Sequence, residues 1–209
     1  MPTYKEKVVS YPNPTKRFLF VHIPRTAGRF LEENIEENGF EPEQVIWKSV
    51  DGIEVAHFHN ELYLKHFDDL GSIPHFTVVR NPIDRFISCS IFLSELYGDN
   101  IEELLEDPMM FSSMLQNFPS TESVNWFRPQ IDFISDKTHI WKFEDMFEDE
   151  FGDWLSGIVG LYIKMRKDMP VEKLPTDESK KVKRSAKLID NIKSLYRKDI
   201  EQFYPELAA

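Results

Sequence analysis

Two short runs, Arg17–Ile23 (RFLFVHI) and His75–Val79 (HFTVV), are rich in β-forming apolar residues and lack the polar alternation of a half-solvated strand. A strand with one wet face places a polar residue at every second position, so these two are expected to be covered on both faces. The first run stops at Pro24, and a small Thr-Ala-Gly turn follows. Phe30, Leu31, Asn34 and Ile35 then recur at helical spacing, with Glu32, Glu33, Glu36 and Glu37 assigned to the other face. The second run ends at Arg80, and Pro82 sits where the first turn of a helix tolerates proline. A helix is expected from there to about Tyr97. Strands that alternate with helices in this way predict an α/β fold with a central, mostly parallel sheet flanked by helices.

Weaker signals fill in the remainder. Val45–Lys48 and Glu54–Phe58 read as strands, and Asn60–Asp69 as a short helix. Thr138–Trp141 reads as a late strand, and Phe143–Val159 and Glu178–Phe203 as late helices. Residues 107–135 read as irregular or short-helical cover over one end of the sheet, and residues 168–177, with two prolines, as a loop. Residues 1–16 hold three prolines and read as an extended arm, leaving 17–209 as a single domain.

The net charge of −11 excludes nucleic acid as the expected partner, because such binding requires a cationic surface. The charge is uneven: residues 164–209 carry 12 basic and 8 acidic side chains. That segment reads either as a solvated helix face or as a cover for an anionic ligand. Cys89 is the single cysteine, so no disulfide forms within the chain, and a reducing, cytoplasmic setting is expected. No apolar run approaches the roughly 20 residues of a membrane span, and none has signal-peptide length, so no membrane association is expected.

Two stretches carry chemistry. In His22–Phe30 (HIPRTAGRF) a buried strand feeds a tight turn that opens a helix, whose first N–H groups lack internal partners. Arg25 and Arg29 add positive charge, Thr26 a hydroxyl, and Ala27 and Gly28 little bulk, so the turn reads as an anion loop or as a plain strand–turn–helix junction. It is not a Walker loop, since G-x-x-x-x-G-K-[ST] is absent. In Arg80–Ser88 (RNPIDRFIS), Arg80 ends a core strand and Ser88 lies two helical turns on, placing a guanidinium and a hydroxyl within reach of one anion. The plainer reading makes Arg80 a strand-end ion-pair partner. Two anion sites on one sheet suit a nucleotide with phosphates at both its 5′ and 3′ positions.

HIPRTAG resembles the 5′-phosphosulfate loop of sulfotransferases, H-I-P-K-T-A-G-T-S, and VRNPIDRFIS resembles their 3′-phosphate motif, R-D-P-x-x-R-x-x-S, in the same order along the chain. Asn125–Gln130 (NWFRPQ) is similar to a Pro-Gln segment of the carbohydrate branch, and THIWKFEDM and YRKDIEQFYPE to the family's closing elements. The resemblance implies a P-loop-like three-layer domain and 3′-phosphoadenosine 5′-phosphosulfate (PAPS) as donor. It implies that Arg25, Thr26, Ala27, Gly28, Arg29 and Phe30 surround the phosphosulfate and that Arg80 and Ser88 hold the 3′-phosphate. Arg25 replaces the family's lysine, and Arg29-Phe30 its Thr-Ser pair. A planar guanidinium does not place charge where a compact ammonium does.

Transfer to an alcohol requires a base. His57 and His59, in an H-x-H stretch, share one face if extended. A similar segment of carbohydrate 2-O-sulfotransferases contains the proposed base, which makes His59 the first candidate and His57 the second. Packing roles remain open for both, as do a carboxylate base and a metal-ligand role, although no third ligand is evident. His22 reads as a residue that orients the loop. No metal is expected, because fixed cations can balance the modest charge of a sulfuryl group. The acceptor is expected to be a carbohydrate hydroxyl. Residues 107–135 and 164–184 are expected to frame it, with Trp126, Phe127, Phe133 and Trp141 available for stacking and Lys180, Lys181, Lys183 and Arg184 for charge. A PAP- or PAPS-binding protein without turnover and a small-molecule kinase are the alternatives (PAP being the desulfated donor).

Overall fold

The computed structural model describes residues 2–7, 16–43, 47–67, 73–97, 122–166 and 184–208, together with 109, 112, 116 and 117. Five strands form one sheet: β1 (Thr3–Glu6), β2 (Arg17–Val21), β3 (Phe40–Pro42), β6 (His75–Val79) and β7 (Thr138–Lys142), in the order β3-β1-β2-β6-β7. β2, β6 and β7 pair in parallel, whereas β1 runs antiparallel to both its neighbours. The protein is therefore α/β with a mixed sheet flanked by helices. A two-residue hairpin, β4 (Ser49–Val50) with β5 (Ile53–Glu54), stands apart.

The helices are α1 (Gly28–Glu37), α2 (Asn60–His66), α3 (Pro82–Tyr97), α4 (Glu122–Trp126), α5 (Glu150–Val159), α6 (Ala186–Leu195) and α7 (Arg197–Phe203). Along β2, Phe18 and Phe20 enter one core with Phe30, Leu31 and Phe151, while Leu19 and Val21 enter a second with Tyr63, Phe133 and Phe203. The strand is thus covered on both faces, which is why its sequence shows no polar alternation. A third core joins Phe86 and Ile87 of α3 to Phe127 and to Leu188, Ile192 and Tyr196. Among the described residues, no helix is long and apolar enough to cross a membrane.

Several expectations are corrected. The N-terminal segment is not only an arm, because Thr3–Glu6 is an inner strand with Thr3 and Tyr4 buried. Its polar letters hid this, since Tyr4 stacks on Phe18 at 5.5 Å while Lys5 and Glu6 are only half-buried. Glu54–Phe58 is not one strand: β5 ends at Glu54, and Val55–His57 is a 3-10 turn. Phe143–Asp145 is likewise a 3-10 turn before α5, and the final helix breaks at Tyr196. Trp47 and Lys48 are not in a strand, and Val45 and Ile46 lie outside the described residues, as do 107–108, 168–177, Lys180, Lys181 and Lys183.

Candidate functional site

The parallel strands β2, β6 and β7 end along one rim of the sheet, and both motifs follow immediately from it. Past β2 the backbone takes an unusual path. Arg25 and Ala27 have φ of 66° and 68°, while Thr26 between them and Gly28 after them do not enter the left-handed region. Left-handed backbone costs a residue bearing a side chain about 1–2 kcal/mol. Here two such residues are held alternately at the mouth of α1. Such alternation curls successive N–H groups into a concavity that fits an anion, and the open N–H groups of α1 add to it.

The side chains of this loop are divided between building and binding. Thr26 is buried, and its hydroxyl donates to Ile23 O at 2.9 Å, so it braces the turn instead of offering a donor to a ligand. Phe30 is buried in the core, and only its N–H belongs to the loop. A Cβ on Gly28 would lie 1.7 Å from His22 Nε2. The close approach that glycine permits is therefore to the His22 ring. His22 in turn meets Glu32 (Nδ1 to Oε1, 3.0 Å), which places Glu32 inside, not on the solvated face of α1. Arg29 stays exposed, its guanidinium 5.8 Å from the centroid of Trp47.

The second motif is fixed from several directions. Asn81 Oδ1 accepts from the N–H groups of Ile83 and Asp84, capping α3 ahead of Pro82. Gln130 clamps the main chain of Arg80: its Oε1 accepts from Arg80 N–H at 2.9 Å, and its Nε2 donates to Arg80 O at 2.8 Å. Asp199 of α7 accepts from the N–H groups of Gln130 and Ile131 and so holds that clamp. Tyr204 donates its hydroxyl proton within reach of Val79 O and Glu144 Oε2, and Glu144 Oε1 accepts from Asn81 N–H. The Arg80 guanidinium lies over Phe143 at 4.5 Å and donates to Arg25 O at 3.2 Å. Arg25 Nε donates to Ser88 Oγ at 3.0 Å. The fold thus brings Arg25, Arg80 and Ser88 together. Arg85, fully buried, donates to the carbonyls of Trp126 and Arg128 and ties α3 to the segment after α4.

The two histidines differ. Sequence reasoning placed His59 first, but His59 is the N-cap of α2, and its Nδ1 accepts from Leu62 N–H at 3.4 Å. Burial, with Arg128 adding to it, lowers its pKa to about 4. His57 has the better setting. Its Nδ1 lies 2.6 Å from Glu122 Oε1, and Glu122 also accepts from Trp126 Nε1 at 2.7 Å and from Glu54 N–H at 2.8 Å. A carboxylate on Nδ1 fixes the tautomer and leaves Nε2 as the basic nitrogen. Burial pushes the His57 pKa below its ordinary value against the pull of Glu122, so the ring is neutral at pH 7. Burial raises the Glu122 pKa, but the hydrogen bonds from His57, Glu54 and Trp126 outweigh it and the net shift is downward.

Rings connect this pair to the loop. His57 lies 4.8 Å from His22 and 5.4 Å from Trp126, Trp126 stacks on Phe92 at 4.6 Å, and Phe92 lies under Arg25. Trp47, 46% exposed, sits edge-on to His57 at 6.0 Å. Glu122 and Trp47 were not singled out from sequence. A glutamate 65 positions from its histidine has no local signature, and Trp47 lies within the stretch Val45–Lys48 that reads as a strand. Of the rings proposed for stacking, Phe127 and Phe133 are buried, and Trp141 packs on Phe151 and Trp154 in the first core. Arg184 pairs with Asp84 at 2.7 Å.

Glu54, His57 and Glu122 present ligand atoms within 4.8 Å of one another, a spacing that a cation would fit. Glu122 already accepts three hydrogen bonds there, and a cation would have to displace them. No family model matches this chain, and no curated protein or solved structure matches it either.

Proposed function

We propose that the chain is a PAPS-dependent sulfotransferase with a P-loop-like domain, acting on a hydroxyl acceptor of the carbohydrate class in a cytoplasmic setting. The observation that carries this reading is the alternating left-handed backbone at Arg25 and Ala27, on the same sheet rim as the clamped Arg80. Strain of this kind persists only where the surrounding structure enforces it, and it concentrates at ligand sites.

The reaction follows from the chain's own groups. An acceptor hydroxyl oxygen attacks sulfur as its proton passes to His57 Nε2. The bond between sulfur and the 5′-phosphate oxygen breaks, and its electron pair remains on PAP. Glu122 stabilises the imidazolium that forms, and the loop N–H groups with the nearby guanidiniums stabilise the departing oxygen. No step requires a metal.

A second reading, a PAP- or PAPS-binding protein without turnover, is favoured by the Arg25 guanidinium lying against Ser88. Calorimetric titration with PAP, 5′-AMP and ATP tests the donor. PAP is expected to bind tenfold or more tighter than 5′-AMP, about one charge-assisted contact, and Arg80→Ala to level the two. Equal binding of PAP and 5′-AMP by the unaltered protein sinks the reading. Turnover of PAPS with sugar acceptors separates the two forms of it.

A further inference from the structure

Two carboxylates meet at His57 Nδ1: Glu122 Oε1 lies 2.6 Å from it and Glu54 Oε2 3.5 Å. A neutral imidazole has one N–H to give, and a single proton serves only one of them well. The three residues come from three elements. Glu54 ends β5, His57 ends the 3-10 turn that follows, and Glu122 opens α4. Glu122 is held in place by two further donors, Trp126 Nε1 and Glu54 N–H. The His57 side chain is 5% exposed and that of Glu54 36%, so the imidazole is sheltered while one carboxylate reaches solvent.

We propose that Glu54, His57 and Glu122 form a site for one divalent transition cation of the Zn²⁺ class, and that the cation switches off His57 as a base. The site stands on the geometry of the three side chains; the switch rests on the sulfotransferase reading above. Three protein ligands of imidazole and carboxylate type, with a fourth position left to water, are an arrangement that zinc takes. Ligand atoms about 2.0–2.2 Å from a tetrahedral ion lie about 3.3 Å from one another. The 3.5 Å contact already fits this, the 2.6 Å contact opens by under an ångström, and all three ligand atoms lie within 4.8 Å. Entry costs the hydrogen bonds that Glu122 now accepts, and this cost sets the selectivity. Mg²⁺ and Ca²⁺ favour all-oxygen shells and gain little from an imidazole, whereas a borderline ion gains from it. The consequence for the base lies in the ring proton. With Nδ1 donating to Glu122, Nε2 is the basic nitrogen. With Nδ1 on the cation, the one ring proton passes through solvent to Nε2, and that nitrogen becomes a donor. It then cannot take the acceptor's hydroxyl proton. The cation is an inhibitor, and the reaction above runs without it.

The probe is Co²⁺, whose visible absorption reports its coordination, titrated into the full chain with Zn²⁺ as competitor and Mg²⁺ as control. One Co²⁺ per chain is expected to bind, Zn²⁺ to displace it and excess Mg²⁺ to leave it in place. Glu54→Gln is expected to weaken Co²⁺ by about tenfold or more. It is isosteric and keeps the main-chain donor to Glu122, so the His57–Glu122 pair persists. Glu122→Gln, the second ligand variant, is expected to weaken Co²⁺ by as much. His66→Ala, at the exposed pair of His66 with Asp51, is expected to leave the titration unchanged. Co²⁺ held as tightly by Glu54→Gln and Glu122→Gln as by the unaltered protein, or lost in His66→Ala, overturns the site. In the turnover assay Zn²⁺ is expected to inhibit the unaltered protein, and about tenfold or more Zn²⁺ to be needed for the same inhibition of Glu54→Gln. Zn²⁺ bound at the three residues without inhibition overturns the switch. If no acceptor is sulfated, the functional reading and the switch fail together, and the absorption titration alone decides the site.

Discussion

His57 illustrates how a single residue acquires a role from neighbours distant in sequence. An H-x-H stretch offers two imidazoles, and local spacing alone cannot rank them. Glu122 ranks them by binding His57 Nδ1, while His59 is used as a helix cap. His57→Ala is expected to lower kcat roughly 10²–10⁴-fold, the range for loss of a general base, and to leave PAP affinity unchanged. The pH dependence has a definite sign. A base at His57 would act when neutral, and the His57 pKa is lowered, so the acid limb of kcat/KM should lie below the ordinary histidine value of 6.5, with a plateau through neutrality. Glu122 pulls the His57 pKa upward, so Glu122→Gln should move that limb to still lower pH as well as reduce kcat. A limb that does not move in Glu122→Gln would refute the pairing.

The elements around Arg80 act as a chain of supports. α7 holds the 130–131 main chain through Asp199, and Gln130 holds Arg80 by both its N–H and its carbonyl. The guanidinium is therefore aimed from a backbone with little freedom, as a preorganised anion site requires. Gln130→Met keeps the volume but strands two main-chain groups beside Arg80. It should cost on the order of 2–3 kcal/mol in a denaturant melt and reduce the PAP preference over 5′-AMP. Full retention of that preference would show that Arg80 is positioned by other means. The Pro-Gln segment was visible in the sequence, but its use as a clamp was not, because its partners lie 50 and 69 positions away.

At the scale of the molecule, the sheet depends on its N-terminal strand. β1 lies between β3 and β2, so removing it unpairs both neighbours and exposes Phe18 and Phe40, which pack around Tyr4. Deletion of residues 1–7 is expected to abolish cooperative unfolding in a thermal melt, whereas a dispensable arm would leave the melt unchanged. A strand's value is decided by what pairs with it, and Thr3–Glu6 has too few apolar residues to announce its position.

The sequence by itself determined the buried strands β2 and β6, the presence of the late strand β7, the start of α1, the whole span of α3 and the placement of both motifs at strand ends. These features follow from periodicity, proline and glycine positions and short-range spacing, which act within a few residues. Tertiary structure alone decided that β1 joins the sheet, that Thr26 and Gly28 serve the loop and not its ligand, that His57 and not His59 has a carboxylate partner, and that Arg25 turns to Ser88. Each of these rests on a contact between residues far apart in the chain or on a backbone angle. Such contacts exist only once the cores have closed and buried polar groups have had to find partners.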